Sequence, residues 1–525
     1  LIQALRTQMN LQTPALLIST SRIHSKSYQT NFRILIAFFL IICSFTGFAH
    51  SGKAKYHLII DTDGALDDLR ALCLFMASAD FEIQAITTSD GVLSPAQALE
   101  KVRSLLEHFG HEGIPTGMGS TVLENAPPWR PLNRSISWSG PDSDLKSFRS
   151  GPQHSTSLDA VPVIRGALEN ENDPVIFVCL GSLTNLAEIV RTAPNFLKRI
   201  ERVVWYVDNI DPLSGTNFDF DREAARIVLE SPLRIEAVTN SGAPSFIVDK
   251  AFLAELSGLD SRYSPVILTS HSTPDVNLLL ERGHLQFWDD LIPVYLLYPG
   301  LFTGLPVGNT RPTWMVSIKD RATMKEWIST CYAKILTDRN RVRSKVFDGF
   351  PEKADLFAPD VRPLMTDIIQ RHGREEWRLG VLTNELHGHL GIYAVIGTKM
   401  GLRAREFFHI GIDDISVFSL AGKIPPLSCM NDGLQVSTGS TVGHGLFSVR
   451  SEPPFVPEAS FTFKNRTVHL KLKDELWSII KKDIKQGIER LGLNTEPYWR
   501  HVRELALRYW RDWDRMEIFE INPLS

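Results

Sequence analysis

The stretch Tyr56-His57-Leu58-Ile59-Ile60-Asp61-Thr62-Asp63-Gly64-Ala65-Leu66-Asp67-Asp68 (YHLIIDTDGALDD) runs from a short apolar segment into four carboxylates within eight residues. Tyr56 to Asp61 reads as a buried strand and Asp67 to Ser78 as a helix, so the acids collect at a strand end and a helix start. Such crowding needs a counter-charge. A helix N-terminus offsets one carboxylate at most, and capping uses one or two more. A hard divalent cation with oxygen ligands accounts for all four together.

Working outward, the alternation repeats. Ile83 to Thr88 is a strand, and Ser94 with Pro95 supplies the cap and first-turn proline of a helix. Val175 to Leu180, Leu183 to Arg191, Val203 to Val207 and Asp221 to Ser231 read strand, helix, strand, helix. The pattern predicts an α/β domain with a mostly parallel central sheet and flanking helices. Ligands of such sheets bind beyond the carboxyl ends of the strands. The acidic run, Ser89-Asp90-Gly91, Gly181 to Asn185 and Asp208-Asn209 all follow strands, so they are expected to share one mouth.

The 525 residues are 43% hydrophobic and 22% charged, which suits a folded protein with more than one core. A formal net charge of -4 leaves no basic stripe for a nucleic acid polymer, so a small molecule is the expected partner. Residues 1–54 are read as a targeting segment: Arg22, Lys26 and Arg33 precede an apolar run from Ile34 to Phe48 with a small-residue exit. That run is shorter than the roughly 20 residues of a membrane span, which predicts a cleaved signal, export to the periplasm or beyond, and no stable span afterwards. Cys73, Cys179, Cys331 and Cys429 show no paired spacing, which argues against a disulfide framework or a CxxC knuckle. Periodicity fades near Arg343 to Asp360. The expected division is a first domain over 55–341, a linker over 342–366 and a smaller α+β domain over 367–525. Its elements are a helix from about Leu390 to Phe407, a strand around Ile415 to Leu420, a Gly-rich stretch from Gly433 to Gly445, and helices from Lys473 to Leu491 and Pro497 to Trp513.

The DTDGALDD segment resembles the D-x-D-P-G-x-D-D signature of the inosine-uridine preferring nucleoside hydrolases. LGSLTN (Leu180 to Asn185), TNFDFDREAA (Thr216 to Ala225) and FWDDLIPVYLLYP (Phe287 to Pro299) resemble three further motifs of that family in order. The resemblance implies that Asp63 binds calcium and deprotonates the attacking water, with Asp68, the Leu180 carbonyl and Asp289 completing the cage. It further implies that Asp67 and Asn217 hold ribose hydroxyls, with Asn217 counted beside Asp63 among the catalytic residues, and that Asp61 supports the cage from behind. Val92 and Gly215 stand where sugar-contacting Asn and Glu are implied, and Trp288 where some members carry a His. Indole donates hydrogen bonds but does not give up its proton at neutral pH, so Trp288 is no general acid; it is read either as a stacking face for the base, with Trp205 as a second face, or as a wall of the pocket. Members of this family associate as dimers or tetramers, which implies a homo-oligomer.

In the second domain, His387, His389 and Cys429 are residue types that ligate soft metals. HGHLGIYAVIG and CMNDGLQVSTGSTVGHG resemble two segments of the FmdE family of formylmethanofuran dehydrogenase proteins, with Gly391 and Ser440 in place of two of its cysteines. The resemblance implies that His387, His389 and Cys429 bind zinc or another transition metal. Together the two likenesses imply metal-dependent hydrolysis of the N-glycosidic bond of nucleosides with an appended metal-binding domain. The alternative is a non-catalytic exported protein that keeps the calcium cage to grip a diol-containing ligand or a metal.

Overall fold

In strand β1 (Tyr56–Thr62) every side chain after the first is buried, so the strand lies inside the sheet with helices on both faces. The computed structural model describes residues 54–139, 158–240, 247–307, 313–319, 324–338 and 346–524. The targeting segment read from the sequence lies outside them, apart from its last residue. Strands β2 (Phe81–Thr88), β3 (Thr116–Met118), β4 (Leu158–Asp159), β5 (Val175–Cys179) and β6 (Ile200–Tyr206) follow, then a small hairpin of β7 (Asn209–Ile210) and β8 (Leu213–Ser214). With β9 (Ile235–Val238), β10 (Phe302–Pro306) and β11 (Thr313–Ile318) they build a nine-stranded sheet in the order β10-β11-β9-β6-β5-β1-β2-β3-β4. Among the described residues, only the β10–β11 pairing of this sheet is antiparallel.

Strand alternation divides the core. Leu58 and Ile60 join the cluster under the helix Leu66–Ala77, while Ile59 points into a second cluster with Phe177, Val203 and Trp205. Ser94 forms a capping box with Gln97 at the start of the helix Pro95–Phe109, as its sequence predicts. Because β6, β5, β1 and β2 are parallel neighbours, the polar segments after them meet at one mouth.

The second lobe packs the helices Met365–His387, Ile392–Phe408 and Met430–Thr438 beside a five-stranded sheet, β13-β12-β14-β15-β16. These strands are β12 (Ser416–Ser419), β13 (Phe447–Val449), β14 (Glu458–Phe463), β15 (Arg466–Leu472) and β16 (Phe519–Leu524). The helix Met430–Thr438 enters the stretch read from sequence as Gly-rich and aperiodic. The reason is close approach: a Cβ on Gly397 would overlap the Met430 carbonyl, and one on Gly433 the Ala394 carbonyl. Phe350, Phe357 and Leu364, read as linker or its edge, pack against this lobe's core. No helix among the described residues is long and apolar enough to cross a membrane.

This lobe docks at the amino ends of the first sheet's strands, away from the mouth. Lys464, in the β14–β15 turn, reaches Glu82 Oε1 (2.9 Å), Gln84 Oε1 (2.7 Å) and Glu171 Oε2 (2.5 Å). Arg403 donates to the Gly110 carbonyl (2.9 Å) and pairs with Glu112 (3.0 Å), and the His409 ring meets the Met76 carbonyl at 2.9 Å. His57, at the foot of β1, joins the Lys464 cluster through Glu171 at 3.0 Å. Burial alone would lower the His57 pKa; Glu171 and Glu82 outweigh it and raise it from 6.5 to about 9. The protonated ring therefore stabilises the fold fully below pH 6.5, and that contribution is lost as pH rises through 9. We expect chemical denaturation with calcium present to show a loss of about 2–3 kcal/mol across this window, absent in His57→Gln. An unchanged slope in the variant would remove His57 as its source.

Candidate active site

The turn after β1 folds onto one oxygen of Asp68. The Thr62 hydroxyl donates to Asp68 Oδ2, as do the backbone amides of Asp63 (3.1 Å) and Gly64 (2.9 Å). That oxygen is saturated and fixes the side chain at the start of its helix. Asp63 is held similarly, with Oδ2 accepting from the Val92 amide at 3.0 Å. The loops after β2 and β5 press on it: a Cβ on Gly91 would overlap the Asp63 carboxylate, and one on Gly181 would lie 2.9 Å from Asp63 Cβ. Glycine is required at both positions by this approach.

The other oxygens face inward. Oδ1 of Asp63, of Asp68 and of Asp289 is buried with no hydrogen-bond partner among the described residues. Asp67, Asp68 and Asp289 each place a carboxylate oxygen within 4.8 Å of the others. Asp67 is only half-buried and forms the side open to the mouth. The Leu180 carbonyl accepts from Asn217 Nδ2 at 2.8 Å, and the same amide reaches the Tyr206 carbonyl at 3.2 Å. Behind the cage Asp61 accepts from Thr87 Oγ1 (2.5 Å) and Asn185 Nδ2 (2.6 Å).

Electrostatics follow from this crowding. Burial first, then repulsion from Asp68, lifts Asp63 well above the usual carboxylate range. Burial and the charges of Asp67 and Asp68 do the same to Asp289, and burial with Asp68 brings Asp67 to about 7. Buried, donor-less carboxylate oxygens converging on one space fit a hard divalent cation, which neutralises them and fills their lone pairs.

The acidic doublet at Asp289-Asp290 splits. Asp289 enters the cage, while Asp290 accepts from Arg70 Nε (2.7 Å), the Trp288 amide (2.8 Å) and the Tyr332 hydroxyl. Arg70 lies one turn into the helix that begins with the cage acids and also donates to the Gln286 carbonyl at 2.8 Å. This buried clamp ties both halves of the cage together, and sequence reading missed it. A second anchor is Asp90, placed at the mouth by the sequence but without its partners: its carboxylate takes Arg130 Nη2 (2.9 Å) and the amides of Val122 and Leu123 (both 2.9 Å). Arg130 also donates to the carbonyls of Gly91 (2.7 Å) and Val92 (3.1 Å), so it steadies the turn that holds Asp63.

Trp288 is half-buried against the first core. The expectation that Trp205 offers a second stacking face is overturned: it is fully buried in the opposite cluster and its indole N–H donates to the Gly181 carbonyl at 3.0 Å. Val92 contributes through its amide to Asp63.

In the second lobe His387 Nδ1 meets Asp432 Oδ2 at 2.6 Å, and its Nε2 is buried without a partner among the described residues. His389 lies beside it, with ring centroids 4.3 Å apart. His387, His389 and Cys429 do not gather as three ligand atoms within 4.8 Å. Burial and Asp432 raise the Cys429 pKa, which favours the neutral thiol.

The profile of the inosine-uridine preferring nucleoside hydrolases matches residues 58–334, more than half of the chain. The chain belongs to that family. A second profile, FmdE of the molybdenum formylmethanofuran dehydrogenase operon, matches residues 386–520, so this nucleoside hydrolase family member carries an FmdE-like segment at its C-terminal side. Curated relatives include the non-specific ribonucleoside hydrolase RihC of Salmonella typhi, 30% identical over 189 residues, which are 35% of this chain and 60% of the relative. The same protein of Salmonella enteritidis is 29% identical over the same shares. The chain thus spans 60% of the length of the curated relatives it matches. Among solved structures, the plant nucleoside hydrolase PpNRh1 is 19% identical, covering 54% of this chain and 99% of its own at a TM-score of 0.43. The purine-preferring ribonucleoside hydrolase from Gardnerella vaginalis is 17% identical, covering 53% and 99% at a TM-score of 0.43.

The raised carboxylate pKa values set a sign for the cation-free chain. Unfolded carboxyls lose their protons near pH 4 while the folded cage retains them, so stability falls as pH rises from about 4 through 7. Denaturation in chelator is expected to weaken by about 1.4 kcal/mol per pH unit for each proton retained, and saturating calcium should flatten the slope. A calcium-independent slope would show that the cage acids are not its source.

Proposed function

We propose that this chain is an exported, calcium-dependent nucleoside hydrolase that converts a ribonucleoside and water to ribose and a free base. The observation that carries this reading is the gathering of carboxylate oxygens of Asp67, Asp68 and Asp289 within 4.8 Å of one another at the mouth of the sheet, with buried, donor-less oxygens on Asp63, Asp68 and Asp289. The Leu180 carbonyl is offered as the fourth protein ligand. A bound cation supplies positive charge that neutralises the cage, acidifies a water and takes a sugar diol.

The chain's own groups account for the remaining steps. The Val92 amide fixes one oxygen of Asp63 and leaves the other buried and without a donor, so Asp63 serves as the base that takes a proton from water. The water oxygen bonds to the anomeric carbon as the C–N bond breaks, and the C–N electron pair leaves with the base, which takes a proton from solvent while Asp63 releases the proton it accepted back to solvent. The surrounding carboxylates stabilise the oxocarbenium-like transition state. Asp67, open to the mouth, accepts from a ribose hydroxyl. Asn217 spends Nδ2 on two carbonyls and turns Oδ1 to the sugar. Trp288 is offered as a stacking wall for the base.

For the second lobe we propose a transition-metal site, zinc among the candidates. His387 is oriented by Asp432 and offers Nε2 as a ligand, with His389 and Cys429 as its neighbours.

The test is ribose release from a panel of purine and pyrimidine ribonucleosides by the purified chain, with calcium or chelator, beside Asp63→Ala and with metal analysis. Calcium-dependent release should fall about 10²–10⁴-fold in Asp63→Ala, and a transition metal should copurify and be lost in His387→Ala. No release from any nucleoside with calcium bound would favour a diol-binding protein without turnover.

A further inference from the structure

Two helices of the first lobe begin at the cage. The helix Leu66–Ala77 carries Asp67 and Asp68 in its first turn. The helix Pro95–Phe109 is capped by Ser94, which directly follows the two residues that hold Asp63: the Val92 amide donates to its Oδ2 at 3.0 Å and the Leu93 amide to its carbonyl at 3.0 Å. Helices that cover a parallel sheet run back from the carboxyl ends of its strands to the amino ends. At 1.5 Å per residue, both therefore finish about 18–23 Å from the cage.

The second lobe grips both finishing ends. His409, which closes the helix Ile392–Phe408, donates through Nε2 to the Met76 carbonyl at 2.9 Å, and the Tyr263 hydroxyl donates to the same carbonyl at 2.9 Å. Just past the end of the helix Pro95–Phe109, the Gly110 carbonyl accepts from Arg403 Nη1 at 2.9 Å, and His111 Nδ1 donates to the Glu406 carbonyl at 2.8 Å. The Gly113 amide donates to the Phe407 carbonyl at 2.8 Å, and a Cβ on Gly113 would lie 2.4 Å from that oxygen, so the lobes touch there backbone to backbone. The two grips join, since the rings of His111 and His409 meet edge to face with centroids 4.4 Å apart. His111, Arg403 and His409 are all buried.

We propose that the second lobe sets the calcium affinity of the first, with His409 and Arg403 as positioning residues that hold the far ends of the two cage helices. The inference rests on the calcium-cage reading above and adds its control. One helix carries the oxygens of Asp67 and Asp68, and the other starts from the turn that fixes Asp63, so sliding either helix along its axis moves one ligand group against the other. Close-packed helices pass such shifts on as rigid bodies, because protein interiors barely compress. The docked lobe holds both helices in one register. Calcium therefore binds the docked arrangement more tightly, and by linkage bound calcium tightens the docking by the same factor.

The test is calcium affinity of the full chain, read by calorimetry in wild type, His409→Ala, His409→Gln and Gly113→Val, with circular dichroism to check folding. His409→Ala removes the donor to Met76, and Gly113→Val wedges the lobes apart at Phe407. Each should weaken calcium about fivefold or more, while His409→Gln, which keeps a donor, should restore it to within about twofold of wild type. Arg503→Gln, which breaks an ion pair with Asp360 inside the second lobe, should leave the affinity unchanged. The reciprocal effect needs no variant: calcium should slow hydrogen exchange of the Gly113 amide, which is bonded across the interface, and leave that of Gly492, bonded to Ile488 within the second lobe, as it was. Wild-type affinity in folded His409→Ala and Gly113→Val, or exchange at Gly113 that ignores bound calcium, would overturn the coupling. A folded wild type that binds no calcium would overturn the cage reading itself and the coupling with it.

Discussion

Mutual repulsion among buried carboxylates at the carboxyl end of β1 is the constraint that the first lobe is built to contain. Asp63, Asp68 and Asp289 cannot share a dry space as bare anions, and each is anchored through one oxygen or its neighbours while another is left without a donor. Much of the surrounding chain serves that anchoring. Gly91 and Gly181 let two loops close on Asp63, and Arg70, Asp290 and Tyr332 lock the segment bearing Asp289 to the helix bearing Asp67 and Asp68. The cation that the oxygens fit would turn a destabilising arrangement into a stabilising one, linking folding to metal occupancy.

The two lobes divide the sheet between them. The FmdE-like side meets the amino ends of β1 and β2 and the loop before β5, with Lys464 set among Glu82, Gln84 and Glu171. His57, Glu171 and Asp173 have the spacing of a metal site, but the Lys464 ammonium already bonds to Glu171 there. The described contacts between the lobes thus lie at the opposite end of the strands from the mouth.

What the sequence displayed was what local chemistry encodes. Four acids after an apolar strand, a capping box at Ser94 and the alternation of strand and helix are properties of adjacent residues, and their elements fall within a few residues of expectation. Long-range partners were not visible. Nothing near Asp290 announces Arg70, 220 positions away in the chain. Trp205 and Tyr206 are neighbours in sequence, yet alternation sends the indole into one core and turns the phenol toward the site, so reading Trp205 as a stacking face failed on strand parity. The helix Met430–Thr438 was hidden because its glycine serves contact with another helix and dilutes the periodic signal.

The most direct measurement of the central claim is calorimetric titration of calcium into the chelator-washed chain at neutral pH, repeated in buffers of different ionisation heat. The account predicts one tight site in the first lobe that releases protons as it fills, weakened strongly by Asp68→Asn or Asp289→Asn with the fold retained. Calcium binding that ignores both substitutions, or no binding by the folded wild type, would contradict it.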